Sequence, residues 1–262
     1  MEIRIKVVCT SLCRSDLSAW ESQAIFPRIF GHEATGQCAS GKTKICHLLG
    51  LERRGVMHCD QRTRFSINAT GEPVYHYCAV SSFSEYTVVH SGCAVKISSL
   101  VPLEEVCLLS CGVAGAKAFG ITEFIKPNDS NEPIQQVIKH MTGGGADYSF
   151  ECVGDTGMVI GNYCIAGMLR WMGFDSYTWN AKVKPEITAH YGAFLTGRTL
   201  KGSLFGGWKP KTDLPSLVEM YTKKEIQVDE YLTHNLPFED VNKAFNLMRE
   251  GKCLRCVIHM EN

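Results

Sequence analysis

Cys13-Arg14-Ser15-Asp16, Gly31-His32-Glu33 and Cys111-Gly112 are the three stretches around which the 262-residue sequence is organised. Two thiols and an imidazole form a three-ligand set for tetrahedral zinc, with the fourth position left to water or substrate. An open zinc acts as a Lewis acid, whereas a site closed by four protein ligands only holds structure. Ser15, two residues beyond Cys13, sets a hydroxyl where it can pass a proton. Arg14 adds a fixed cation suited to a phosphate. Each residue also has an ordinary reading. Free cysteines are among the most often buried residue types, and a lone histidine is commonly a core residue. Taken one at a time, those readings win.

Composition narrows the class. Lysine plus arginine and aspartate plus glutamate number 27 each, so no net field draws the chain to nucleic acid or to an anionic membrane. The apolar run from Val159 to Leu169 is broken by Gly161, Asn162 and Gly167. It also falls short of the roughly 20 residues that a membrane-spanning helix needs. Met1-Glu2-Ile3-Arg4-Ile5-Lys6 alternates and carries no signal-peptide apolar block. The 13 cysteines are odd in number and have no secretory signal with them. Metal ligands and free thiols in a reducing compartment fit better than disulfides. A soluble, cytoplasmic protein is expected.

Hydrophobic spacing places the motifs on elements. Ile3, Ile5, Val7 and Cys9 alternate with Arg4, Lys6 and Val8, which predicts one strand leading directly to Cys13. Val74 to Val80, Glu85 to Val89 and Cys93 to Ile97 read as strands, with turn residues at Ser81 to Ser84. Ile134, Val137, Ile138 and Met141 recur at helical spacing after Pro133, and Asp147 to Val153 reads as a buried strand. Asp213 is a cap candidate for a helix carrying Leu217, Val218 and Tyr221. Val241, Ala244, Phe245 and Met248 predict another helix, stopped by Gly251. Leu254 to Met260 is expected to close the chain as a strand.

Together the three opening stretches resemble the catalytic zinc site of the zinc-containing medium-chain alcohol dehydrogenases, above all the plant alcohol-dehydrogenase-like group. The resemblance runs through Ile3 to Gly36, Cys38 to Cys111, Lys117 to Gly157 and Lys182 to Met260. It implies an α/β protein with a GroES-like β-rich catalytic domain over residues 1–112 and an incomplete Rossmann-type coenzyme domain over 113–204. Residues 205–262 are then expected to return to the catalytic domain. Cys13, His32 and Cys111 would hold zinc, with Glu33 beside them as a carboxylate tuning the metal. Ser15 would take the substrate proton, and Ser18 stands where some members carry a histidine relay, so water would complete the path. The hydride would pass between a primary alcohol or its aldehyde and NAD. Arg14, Ser15, Cys152, Val153, Ser203, Leu204, Phe205 and Arg255 are the implied coenzyme contacts. For Cys152 and Val153 core packing is the ordinary alternative, for Leu200 to Phe205 a plain sheet strand, and for Arg255 an exposed strand arginine. The Leu200 to Phe205 strand would pair across a dimer axis, with a second copy or a full-length relative.

The chain also departs from this pattern. Gly36 runs straight into Gln37-Cys38, so Cys38 and Cys46 resemble the last two of four structural-zinc ligands whose first pair is missing. Neither Cys59 nor His47 completes that set at a recognisable spacing. Gly115-Ala116 joins text from well past the glycine-rich turn Gly-x-Gly-x-x-Gly, which cradles a pyrophosphate on a helix N-terminus. That spacing occurs nowhere in the sequence. The acidic residue for the adenosine ribose is absent with it. From Met158 to Ala181 the pattern lapses again, and Arg170 to Asp175 stand where a strand would be. Two functions follow: a zinc- and NAD-dependent alcohol dehydrogenase, or a non-catalytic zinc-binding remnant.

Overall fold

A computed structural model describes residues 2–21, 25–34, 55–57, 59–98, 100–109, 123, 125, 131–151, 166–171, 192–195, 197–202 and 209–260. The chain divides into two units, Met1–Gly115 with Gly207–Asn262, and Ala116–Gly206. The first unit begins with β1 (Glu2–Lys6), β2 (Cys9–Leu12), α1 (Arg14–Glu21), β3 (Phe65–Ser66), β4 (Pro73–Val74), β5 (Tyr86–His90) and α2 (Leu103–Leu108). The second contains α3 (Ile134–Met141), β6 (Ala146–Glu151), β7 (Ala166–Trp171) and β8 (Thr199–Gly202). The chain re-enters the first unit with α4 (Pro210–Thr222), β9 (Leu232–Pro237), α5 (Val241–Arg249) and β10 (Arg255–His259).

The strand expected over Ile3 to Cys9 is two strands in two sheets. β1 pairs antiparallel with β5, Ile3 opposite Val89. β2 instead lies antiparallel to β10, Leu12 opposite Cys256. The division falls at Val7-Val8, where Val7 N donates to Glu85 O and Val8 O accepts from Met260 N, one bond toward each sheet. Val74 to Val80 is not a continuous strand either. Cys78, Ala79 and Ser81 adopt φ of 51°, 56° and 57°, a left-handed conformation that no strand contains. Tyr77 N donates to Ser81 Oγ at 2.8 Å and closes the turn. Cys93 ends a 3-10 turn capped by His90, and no strand forms among the described residues from Ala94 to Ile97.

In the second unit β6, β7 and β8 form a parallel sheet in that order, with Leu169 opposite Leu200. Arg170 and Trp171 therefore belong to a strand, contrary to the lapse read in the sequence. A strand between two parallel neighbours takes a near-continuous apolar run, so Ala166 to Leu169 shows no alternation to detect. Asp213 is not the cap residue of α4. It lies in the first turn, and its Oδ2 accepts from the Lys209 backbone N–H at 2.7 Å.

β10 is the central strand of the sheet β2-β10-β9, and Cys256, Val257 and Ile258 are buried along it. Its apolar side meets Leu12, Leu17, Phe83, Ala244, Phe245 and Met248 in one cluster. α5 supplies Ala244, Phe245 and Met248 from one face, and Gly251 at φ +69° ends the segment. Trp20 of α1 packs edge-on against Phe245 at 5.2 Å, with the Arg249 guanidinium over its ring at 5.1 Å. The final residues of the chain thus brace the strand and helix that flank Cys13. Removing most of a fully buried Ile costs about 2–5 kcal/mol. Ile258→Ala should lower the unfolding free energy of the first unit by an amount in that range, measured by urea titration followed by near-ultraviolet circular dichroism.

Candidate metal centre

Cys13 stands between β2 and α1, where the backbone leaves the sheet and enters the helix. Asp16, in the first helical turn, accepts the Cys13 N–H on Oδ2 at 3.0 Å, while its own N–H bonds the Cys13 carbonyl at 3.1 Å. A carboxylate at that place satisfies an orphan helix donor and complements the helix dipole. Its other oxygen, Oδ1, accepts from Gly31 N at 3.0 Å and lies 3.2 Å from His32 Nδ1. Gly31 has φ +89°, and a Cβ there would fall 2.4 Å from Ser82 Oγ and 2.8 Å from the Phe83 backbone nitrogen. Only glycine lets the chain turn here and deliver His32.

With Nδ1 held by Asp16, His32 presents Nε2, which lies 3.2 Å from Ser15 Oγ. Tyr77 donates its hydroxyl to the Ser15 carbonyl at 2.9 Å and sets its ring edge-on to His32 at 5.6 Å. Glu33 is joined to the same end of β2 by the bridge Ser11↔Glu33. Burial alone would lower the His32 pKa, but the charge and hydrogen bond of Asp16 outweigh it and raise it well above the ordinary value. Burial pushes the Glu33 carboxyl up to about 8, against the pull of the Arg255 guanidinium 3.8 Å away. Neither Glu33 oxygen has a hydrogen-bond partner, and the residue is fully buried.

The donor atoms of Cys13, His32 and Glu33 all lie within 4.8 Å of one another. A thiol, an imidazole and a carboxylate with two orphaned oxygens form a donor set that suits zinc. The carboxylate that grips the far nitrogen of His32 is the expected second layer of such a site, fixing the tautomer and ring orientation. This role of Asp16 was not read from the sequence. The available signal was an acid three residues beyond a candidate ligand, in the first turn of a helix.

The remaining expected residues fall in several places. Arg14 is exposed, unlike its buried neighbours Cys13, Ser15 and Asp16. Arg255 is not a plain exposed strand arginine, since its side chain is 14% exposed and faces Glu33. Cys59 bonds Glu2 at 3.2 Å within an exposed ion network of Glu2, Asp60 and Arg64. Cys111, Cys38, Cys46, His47, Cys152, Val153, Ser203, Leu204 and Phe205 lie outside the described residues. Among the described residues no helix is long and apolar enough to cross a membrane.

The family model for the alcohol dehydrogenase GroES-like domain matches residues 1–99. The chain is 51% identical to "Alcohol dehydrogenase-like 6" of Arabidopsis thaliana over 343 aligned positions, covering 99% of this chain and 89% of the relative. "Alcohol dehydrogenase 1" of Zea mays is 37% identical, over 100% of this chain and 91% of its own. Because 343 positions are aligned to 262 residues, at least 81 (343 less 262) face a gap in this chain. The crystal structure of an alcohol dehydrogenase zinc-binding domain protein from Burkholderia ambifaria superposes with a TM-score of 0.83 at 20% identity, over 100% of this chain and 92% of that one. Benzyl alcohol dehydrogenase from Acinetobacter calcoaceticus gives 0.76 at 19% identity, over 99% and 92%. These structures share a GroES-like domain joined to a Rossmann-type domain, and this chain has the same fold class with its coenzyme part incomplete.

Two predictions follow from this geometry. Asp16→Asn removes the charge that orients His32, and zinc affinity should fall about 10–100-fold in chelator competition. The second concerns Glu33, whose carboxyl is pushed up to about 8 from the ordinary value of 4.5. A raised folded pKa gives a stability contribution that is complete below the unfolded value and lost as pH rises through the folded one. Zinc-depleted protein should therefore lose thermal stability between about pH 4.5 and 8. Glu33→Gln should flatten the midpoint-against-pH curve in that window, and an unchanged slope would refute the assignment.

Proposed function

Because the chain belongs to the zinc-containing medium-chain alcohol dehydrogenase family, we propose that Cys13, His32 and Cys111 hold one zinc ion in a site for interconverting a primary alcohol and its aldehyde with NAD. The observation that carries this reading is the buried trio Cys13, His32 and Glu33, with donor atoms inside 4.8 Å and His32 braced by Asp16. Bound zinc supplies Lewis-acid polarisation of an alcohol or carbonyl oxygen. The chain's own residues supply the rest. Ser15 Oγ, 3.2 Å from His32 Nε2, is placed to take the proton of a substrate hydroxyl beside the ligands. Ser18 is half-buried, one helical turn further along, and a proton path past it would be completed by water. Asp16 keeps His32 in the tautomer that presents Nε2. Buried Glu33 and partly exposed Arg255 form a pair that tunes the charge around the donor atoms. Arg14, exposed at the start of α1, is free to meet a coenzyme phosphate.

A second reading is favoured by a specific feature of the sequence. No Gly-x-Gly-x-x-Gly spacing occurs in the chain, and at least 81 positions of the Arabidopsis relative have no counterpart here. Charge-assisted hydrogen bonds contribute about 1.5–3 kcal/mol each, and a pyrophosphate cradle makes several. Each 1.4 kcal/mol is about a tenfold change in affinity, so their loss weakens NAD binding by several powers of ten. On this reading the chain holds zinc without turning over and pairs through β8 with a second copy or a full-length relative.

Zinc content, NADH fluorescence and turnover separate the two. The first reading expects one zinc per chain and ethanol-dependent reduction of NAD that is lost in Cys13→Ser. Stoichiometric zinc with no change in NADH fluorescence would select the second. A folded chain that retains no zinc overturns both.

A further inference from the structure

Cys253-Leu254-Arg255-Cys256 runs from the turn after α5 into β10. In a regular strand, residues three apart face opposite sides. Here both thiols enter the same buried cluster, with Leu12, Phe245, Met248 and Ile258. The cause is local. Cys253 precedes the strand, and the pairing of β10 with β9 shifts register between Arg255 and Cys256, an irregularity of the kind that re-aims a side chain. The two thiols are hydrogen-bonded to each other. From β9, Thr233 Oγ1 lies 3.6 Å from Cys253 Sγ, and the His234 side chain bonds the same sulfur. Cys253 retains 7% exposure where Cys256 has none, and the intervening Leu254 is largely exposed. Among the described residues, these two thiols and His234 are not gathered closely enough to hold a metal as a trio.

We propose that Cys253 and Cys256 are a redox dithiol that closes to a disulfide by exchange with a low-molecular-weight disulfide. Cys253, as thiolate, attacks one sulfur of the incoming disulfide RSSR. That S–S bond breaks, and RS⁻ departs with the electron pair and takes up the proton that Cys253 gave up. Cys256 then loses its proton and attacks Cys253 Sγ, expelling the second RS⁻, which leaves as RSH. The chain loses two hydrogens and two electrons, and RSSR is reduced to two RSH. The order of attack follows from the surroundings of each sulfur. The hydrogen bond from Cys256, helped by Thr233 and His234, pulls the Cys253 thiol below the ordinary thiol range, and the same bond pushes Cys256 up. Cys253 is the less deeply buried and more acidic of the two, so it is the sulfur that an incoming disulfide meets first, with Cys256 behind it as the resolving thiol.

The sequence supplies a direct readout, because trypsin cuts after Lys252 and after Arg255, between the two cysteines. Zinc-loaded full-length protein is incubated with oxidised glutathione, alkylated, and digested without reduction. The expected product is Cys253-Leu254-Arg255 tethered to the peptide that begins at Cys256, separating when reductant is added. Cys256→Ser should instead accumulate a glutathione adduct on Cys253, because the resolving thiol is gone. Recovery of both cysteines alkylated on separate peptides of the wild-type chain overturns the proposal, and this wild-type arm requires no variant to fold. A Cys256→Ser protein that folds but carries no adduct on Cys253 overturns the order of attack.

Discussion

A single buried carboxylate holds the first unit's functional end together. Asp16 accepts the backbone N–H of Cys13 and of Gly31 and grips His32 Nδ1. A buried anion without partners is costly, whereas one that meets several donors is stabilised by the same low dielectric that would otherwise penalise it. Its partners come from the strand–helix junction and from the turn carrying Gly31, so Asp16 fixes two segments to one geometry. Two candidate ligands, Cys13 and His32, are positioned as a by-product of satisfying that charge. The arrangement tolerates no Cβ at Gly31 and leaves Glu33 buried with oxygens that accept no hydrogen bond. Orphaned carboxylate oxygens beside a thiol and an imidazole are uncomfortable in a neutral core and comfortable beside a cation.

The end of the chain completes this frame. β10 lies between β2 and β9, so the residues just before Cys13 owe one of their sheet partners to residues near the C-terminus. Phe245 receives Trp20 from α1, and Arg249 pairs with Glu21 of the same helix at 2.9 Å. Arg255 reaches Glu33 from the first position of β10. The candidate metal centre therefore depends on contacts across almost the full sequence separation. These long-range pairings are made by the closing helix and strand rather than by the residues that bear the chemistry.

How much of this was legible varied with the physics of each element. Helices α3 and α5 were readable because an amphipathic face imposes a 3.6-residue period. Cys13 and His32 stood out through their immediate neighbours and their resemblance to a known site. The division of Ile3 to Cys9 was hidden, because alternation continues unbroken while hydrogen-bond partners change from β5 to β10. The turn through Cys78, Ala79 and Ser81 was hidden for another reason. Its left-handed backbone is carried by residues other than glycine, against the usual composition of such turns. Asp16 and Arg255 had no periodic signature, since one acts through hydrogen bonds to segments near in space and the other through an ion pair to a buried carboxylate. The convergence of Cys253 and Cys256 depends on a register shift, which no sequence spacing announces.

The two halves of the family's chemistry have different structural dependencies. Cys13, Ser15, Asp16, His32, Glu33 and Arg255 all belong to the first unit, and each described contact among them is made within it. A metal site of this kind depends on local bracing: helix start, tight glycine turn and closing strand. A dinucleotide site depends on a glycine-rich turn feeding a helix from a central parallel strand. The sequence has no such turn, although β6, β7 and β8 still pair in parallel. Sheet pairing is a backbone property that survives the removal of neighbouring strands, whereas phosphate recognition is a property of one specific turn. Loss of aligned positions can thus spare a metal centre and a residual sheet while removing the coenzyme's strongest anchor. On the proposed function, metal content and coenzyme affinity are therefore separate quantities to measure.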